Sequence, residues 1–296
     1  MRENKVVYGL IGYGGMGRWH TEILSNVPEA VIGGIYDIKK EKREEAKEKG
    51  FFVYETEEAM LADPDIDVVL IATPNDCHKP IAIRAMHAGK NVISEKPVTL
   101  SSADLLEMEN AAKETGKLLT VHQNRRWDDD FLIIKKLVEE QKLGHVFRIE
   151  SRVHGSRGIP GDWRKEKAHG GGMVLDWGVH LLDQILYMYG DRKIETVYAS
   201  LTNVTNQEVD DGFTAILTFE GGTEVLVEVG TNNYISLPRW YVLGEDGTAV
   251  IRDWQLNGEI IRKTGMTEET VVPVKTAAGL TKTMAPRRED TIVKED

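Results

Sequence analysis

The sequence predicts an α/β chain: a doubly wound parallel sheet in the first part, then an α+β part built on a mostly antiparallel sheet. Two patterns carry this. Through residue 122, short apolar runs without alternation are separated by stretches of helical period, as expected for strands covered on both faces and joined by crossover helices. After residue 123, longer strand patterns follow one another through glycine-bearing turns, as expected for hairpins. The domains are therefore placed at 1–122 and 123–296, two being ordinary for a chain of this length.

In order, 6–11 reads as a buried strand and 18–26 as a helix. A strand at 30–36, a charged helix at 39–49 and a strand at 67–72 follow, then a helix at 79–88 stopped by Gly89. Residues 91–94 form a short strand, 101–115 a helix and 117–122 a last strand of this kind. In the second part, strands are expected at 144–154, 194–203, 212–220, 223–230, 240–243 and 248–252, interrupted by a helix over about 172–189. The turns 220–223 and 244–247 carry glycines suited to hairpins.

Composition narrows the function. With 41% hydrophobic and 29% charged residues the chain is in the globular range. Its net charge of -11 offers no basic footprint for nucleic acid. The single cysteine, Cys77, excludes an intrachain disulfide and fits a reducing compartment, and no apolar run approaches a membrane span. The expectation is a cytoplasmic protein with a small-molecule partner.

Between the first strand and first helix lies Gly12-Tyr13-Gly14-Gly15-Met16-Gly17. GxGxxG alone is a weak signal, but here it leaves a buried strand and opens a helix, where backbone N–H groups and the helix dipole favour a pyrophosphate. Gly12 suits the tight turn, Gly14 the approach to phosphate, and Gly17 close packing of helix on strand. Asp37 ends the second strand, twenty positions past Gly17, where its carboxylate suits the ribose hydroxyls of NAD and repels a 2′-phosphate. Lys39, Lys40, Lys42 and Arg43 follow it, so NADP is not excluded.

Two further segments, Ala72-Thr73-Pro74-Asn75 and Glu95-Lys96-Pro97, follow expected parallel strands, at the carboxyl edge where such sheets bind ligands. Lys96 is thus expected near the nicotinamide, with a cationic neighbour and partial burial tuning it to hydrogen-bond an alcohol oxygen. In the helix after Gly170-Gly171-Gly172, Asp176, His180 and Asp183 are spaced to share one face, with Tyr187 below. A buried polar stripe admits three readings: a satisfied structural pair, a metal site, or an acid–base site in which His180 takes a hydroxyl proton. No third ligand stands at recognisable spacing, so no metal is expected.

These motifs resemble the Gfo/Idh/MocA oxidoreductases over residues 6–252. The resemblance rests on GYGGMG with His20 after it, Asp37, ATPNDCH at 72–78, AGKNVISEKP at 88–97, NRRW at 124–127 and GGGMVLDWGVHLLD at 170–183. It implies a Rossmann domain followed by an α+β domain with a large open sheet, acting on sugars, inositols or related polyols. It further implies that Lys96, Asp176 and His180 form the catalytic set, and that Thr73, Asn75, His78, Glu95, Lys96 and Gln123 lie along the cofactor with the loop residues and Asp37. Arg126, Asp162, Trp163 and Arg164 are implied on the substrate side, and association into a homodimer or homotetramer through the open sheet. An enzyme that recycles NAD during glycoside cleavage or elimination, or a non-enzymatic NAD-binding regulator, is the alternative. After 270–274 the chain passes through Ala285-Pro286-Arg287-Arg288 without the long helix and last strand usual in the family, as a shortened or truncated member would.

Overall fold

The computed structural model describes residues 5–265, 274–281 and 292–295. Two compact units result, Met1–Gln123 with Pro160–Val179, and Asn124–Ile159 with His180–Asp296.

The first unit holds a five-stranded parallel sheet in the order β2-β1-β3-β4-β5. Its strands are β1 (Val6–Ile11), β2 (Ala30–Tyr36), β3 (Val68–Ile71), β4 (Asn91–Ser94) and β5 (Leu119–Val121). Helices α1 (Gly15–Leu24), α2 (Lys40–Glu48), α3 (Glu57–Ala62), α4 (His78–His87) and α5 (Ser102–Thr115) connect them. The absence of alternation has a direct cause. Val7 and Ile11 of β1, with Val69 and Ile71 of β3, enter one apolar cluster with Met60, Ala82, Met86 and Met108. Leu10 and Leu70 point the other way, into a second cluster with Tyr13, Ile35 and Ala46. Both sheet faces are therefore covered. Because β2 and β3 flank β1 on opposite sides, the strand order reverses at the carboxyl ends of β1 and β3, the crevice where open α/β sheets take ligands. Helix α3 was not anticipated; Thr56 caps it by accepting the Ala59 N–H at 3.1 Å, and its six residues are too short for a periodic signal.

The expected division gave everything after 122 to the second domain. Instead the segment 160–179 returns to the first unit, where Asn75 Nδ2 donates to the Gly170 carbonyl at 2.9 Å. A long-range return of this kind leaves no periodic trace in sequence.

The second unit contains α6 (Asp129–Glu139), β6 (Val146–His154), most of α7 (Val179–Tyr189) and β7 (Ile194–Thr202) through β12. Its eight-stranded sheet has the order β15-β12-β11-β10-β6-β9-β8-β7, only β6 and β9 being parallel neighbours. The remaining strands are β8 (Gly212–Phe219), β9 (Glu224–Gly230), β10 (Trp240–Gly244), β11 (Gly247–Ile251), β12 (Gly258–Lys263) and β15 (Ile292–Glu295), with β13 (Val274–Thr276) and β14 (Gly279–Thr281) as a separate hairpin. Alternation is clear: Phe213, Ala215, Leu217 and Phe219 of β8, and Val225, Val227 and Val229 of β9, are buried while their neighbours are half-exposed. Helices α6 and α7 cover this face, Phe131 meeting Trp240 and Tyr189 stacking on Phe219. At one edge, β7 exposes Val197, Tyr198 and Leu201.

Helix α6 was not anticipated, although Phe131, Ile134 and Leu137 have helical spacing and are buried. Nor was β15, which pairs antiparallel with β12 and corrects the expectation of a missing last strand. Residues 285–288 lie outside the described residues. No helix among the described residues is long and apolar enough to cross a membrane.

Candidate active site

Within the first unit a cleft of 710 Å³ opens at the carboxyl ends of β1 and β3. Its floor is the glycine loop, and each glycine has a distinct reason. Gly12 has φ +96°, and a Cβ there would stand 2.5 Å from the Ala72 carbonyl oxygen. A Cβ on Gly17 would meet the Gly12 carbonyl at 2.0 Å, so only glycine lets α1 pack on the loop. Gly14 and Gly15 line the cleft, and a Cβ on either would touch nothing within 4 Å. Gly14 caps α1 without a side-chain hydrogen bond and no acidic residue stands in the first turn, so the dipole end faces this space unneutralised. The loop thus fits a phosphate-bearing ligand.

Asp37 follows β2 and lines the same cleft. One of its carboxylate oxygens accepts the Tyr13 amide at 2.7 Å and the other the Lys39 amide at 2.8 Å, which fixes the carboxylate while leaving further lone pairs. Two cations that follow it in sequence are already engaged: Lys42 with Glu45 at 2.7 Å, and Arg43 with the carbonyls of Asp37 and Ile38.

Lys96, just past β4, also lines the cleft. Its Nζ donates to Asp176 Oδ1 at 3.0 Å and to the Asp176 carbonyl at 2.9 Å. The neighbour the chain supplies is therefore an anion. Asp176 Oδ2 meets Arg164 Nε at 3.2 Å, and Arg164 in turn binds Asp162 at 2.7 Å and lies over the Trp163 ring at 4.6 Å. Burial pushes the Asp176 carboxyl up, but Lys96 and then Arg164 outweigh burial and hold it below the usual carboxylate range. Asp162, Trp163 and Arg164 share the cleft wall with Lys96, so the expected catalytic and substrate-side residues of this unit converge.

Asp176 sits in a π-helical turn, Val174–Gly178, from which α7 continues. Single π turns inside helices recur at functional sites. The expected stripe is divided accordingly. His180, in the first turn of α7, is buried and belongs to the second unit. Asp183 is taken by Arg126, whose Nε and Nη2 donate to it at 2.7 and 2.6 Å over the Tyr187 ring. This bidentate pair engages both oxygens of Asp183 and two of the five N–H donors of Arg126.

The remaining expected cofactor residues separate into wall and support. Met16, Thr73, Asn75 and Glu95 line the cleft. Tyr13, His78 and Gln123 do not. The Tyr13 ring is buried against Phe51, leaving its amide to hold Asp37. His78 is fully buried between the Pro97 and Thr73 carbonyls, at 2.8 and 3.0 Å, and so braces the two cleft-edge segments. Gln123 keeps a buried side-chain oxygen without a hydrogen-bond partner. The sequence reading did not find that Arg164 ligates Asp176, nor that His20 and His122 both contact Glu95. Only His20's place within the motif hinted at a role.

Comparison with known proteins agrees with this architecture. Residues 6–123 match the model of the oxidoreductase family with NAD-binding Rossmann fold, and 131–250 the GFO/IDH/MocA C-terminal domain. An NAD-binding protein of known structure from Listeria innocua is 52% identical, with a TM-score of 0.95 over 98% of this chain and 84% of its own. The oxidoreductase YdgJ of Escherichia coli is 36% identical over 62% of this chain, which spans about half (53%) of its length. The scyllo-inositol 2-dehydrogenase (NADP(+)) IolW of Bacillus subtilis is 31% identical over 82% of this chain and 67% of its own.

Proposed function

Because the chain belongs to the Gfo/Idh/MocA oxidoreductase family, we propose that it is an NAD-dependent dehydrogenase moving a hydride between a sugar, inositol or related polyol carbinol and nicotinamide. The observation that carries this is the Lys96–Asp176–Arg164 cluster on the wall of the cleft whose floor is the glycine loop. When bound, the nicotinamide supplies the hydride acceptor.

The chain's own residues supply placement and proton handling. Gly14, Gly15 and the amino end of α1 would hold the pyrophosphate and Asp37 the ribose hydroxyls, with Thr73 and Asn75 along the wall. Lys96 Nζ has three N–H donors and gives two to Asp176, which leaves one for the reacting oxygen. Asp176, held ionised, aims that donor. Asp162, Trp163 and Arg164 would meet the polyol beside it. His180, four residues past Asp176 in the same helical run, would take the hydroxyl proton.

The name of IolW includes NADP; here the Asp37 carboxylate opposes a 2′-phosphate, and of the cations after it Lys42 pairs with Glu45 and Arg43 with the Asp37 and Ile38 carbonyls, while Lys39 and Lys42 line the cleft. The test is a fluorescence screen for NADH formation with myo-inositol, scyllo-inositol, aldoses, uronates and glycosides. At least one polyol should give turnover, with higher kcat/KM for NAD+ than for NADP+. No turnover on any of them would reject the activity, and a preference for NADP+ would reject the role of Asp37.

A further inference from the structure

Beside the cleft wall, side chains from three separate elements of the first unit converge: His20 of α1, Glu95 at the end of β4 and His122 just past β5. His20 Nε2 lies 2.6 Å and His122 Nδ1 3.1 Å from the same oxygen, Glu95 Oε1. The ligand-capable atoms of all three lie within 4.8 Å of one another. His20 and Glu95 are buried, while the His122 side chain keeps 27% of its surface exposed and gives a way in from solvent. The two imidazoles are 4.7 Å apart, and the Trp19 ring flanks both, at 5.2 and 5.8 Å.

Two imidazole nitrogens and one carboxylate oxygen are a donor set suited to zinc and its first-row neighbours. Burial pushes the Glu95 carboxyl up, yet hydrogen bonds from His122 and His20 outweigh burial and hold it well below the usual carboxylate range. Zinc stands roughly 2.0–2.2 Å from such ligands, which sets neighbouring ligand atoms about 3.3 Å apart in a tetrahedral site. The His20–Glu95 contact would open and the two nitrogens draw together, both by side-chain rotation on a backbone fixed by sheet and helix.

We propose that His20, Glu95 and His122 form a binding site for a divalent ion of the zinc class, with water completing the shell. The ion replaces the N–H hydrogen bonds now shared on Glu95 Oε1; by exchange with solvent each neutral imidazole moves its proton from the nitrogen facing Glu95 to the other ring nitrogen, which frees the lone pair for the ion, and no electrons move. The second Glu95 oxygen accepts the Lys96 backbone amide at 3.2 Å, and Glu95 lines the cleft, so turning the Glu95 side chain onto the ion would release that amide, loosen the Lys96 segment and slow turnover. That consequence rests on the proposed role of Lys96, whereas the site itself does not.

The experiment is equilibrium dialysis of the full chain against zinc chloride with metal analysis, alongside cobalt(II) absorption and thermal melts. Wild type should take up about one equivalent with micromolar affinity, and cobalt should give tetrahedral visible bands. His20→Gln and His122→Asn place an amide N–H where the imidazole N–H now stands, keeping the Glu95 hydrogen bonds but removing the nitrogen lone pair. Both should melt as wild type does and bind zinc at least about 100-fold more weakly. Absence of stoichiometric binding in wild type, or unchanged binding in either variant, would overturn the site. If zinc binds but leaves polyol turnover untouched, the coupling to Lys96 is overturned while the site stands. If the polyol screen fails, the dialysis result still decides the site.

Discussion

Asp176 is a carboxylate with 14% of its side-chain surface exposed, Lys96 on one oxygen and Arg164 on the other. Burial alone would favour its neutral form; the two cations reverse this. The consequence for stability has a definite sign. Its folded-state carboxyl titrates below the unfolded value near 3.9, so the contribution is fully present above about pH 4 and is lost as pH falls through the lower folded value. In the double variant Lys96→Met, Arg164→Met, burial acts unopposed and the sign inverts. Urea unfolding should show a deficit of about 3 kcal/mol at neutral pH, narrowing as pH is lowered toward 4. A deficit equal at both pH values would mean that the cations do not hold the carboxylate.

The loop and α1 form an element in which neighbouring glycines separate folding from binding. Gly17→Ala places a methyl against the Gly12 carbonyl, whereas Gly14→Ala, at a residue that lines the cleft, places one in open space. Gly17→Ala should therefore lower the melting temperature markedly, and Gly14→Ala should melt within a degree or two of wild type yet lose NADH affinity by about tenfold or more, a methyl standing where phosphate is expected to approach. Equal effects of both on melting would contradict this division. The distinction was legible in sequence because strand, loop and helix are contiguous, and the first sheet was legible because both its faces are apolar. Helix α6 was hidden by its polar ends and by the strands around it. The π turn at 174–178 could not be read, since one extra residue per turn leaves the apolar content unchanged. The Arg126–Asp183 pair could not be read, because a charge pair between NRRW and α7 is formed only in the folded chain.

Across the whole chain, what was readable is the order of elements and the charge; what was not is the return of 160–179 to the first unit, which brings Arg164 and Asp176 to Lys96. The exposed Val197, Tyr198 and Leu201 of β7 give the larger sheet an apolar edge that favours self-association. Light scattering should find a dimer or tetramer, and Val197→Lys with Leu201→Lys should shift it toward monomer; a monomeric wild type would contradict this. The central claim is that Lys96 acts on the reacting oxygen rather than merely holding the cleft together, and one comparison tests it directly. For Lys96→Met and wild type, kcat on the polyol found in the screen is measured beside the NADH dissociation constant. The account predicts kcat lower by about 10²-fold or more with NADH binding changed by less than about threefold. Turnover near wild type in the variant would contradict it.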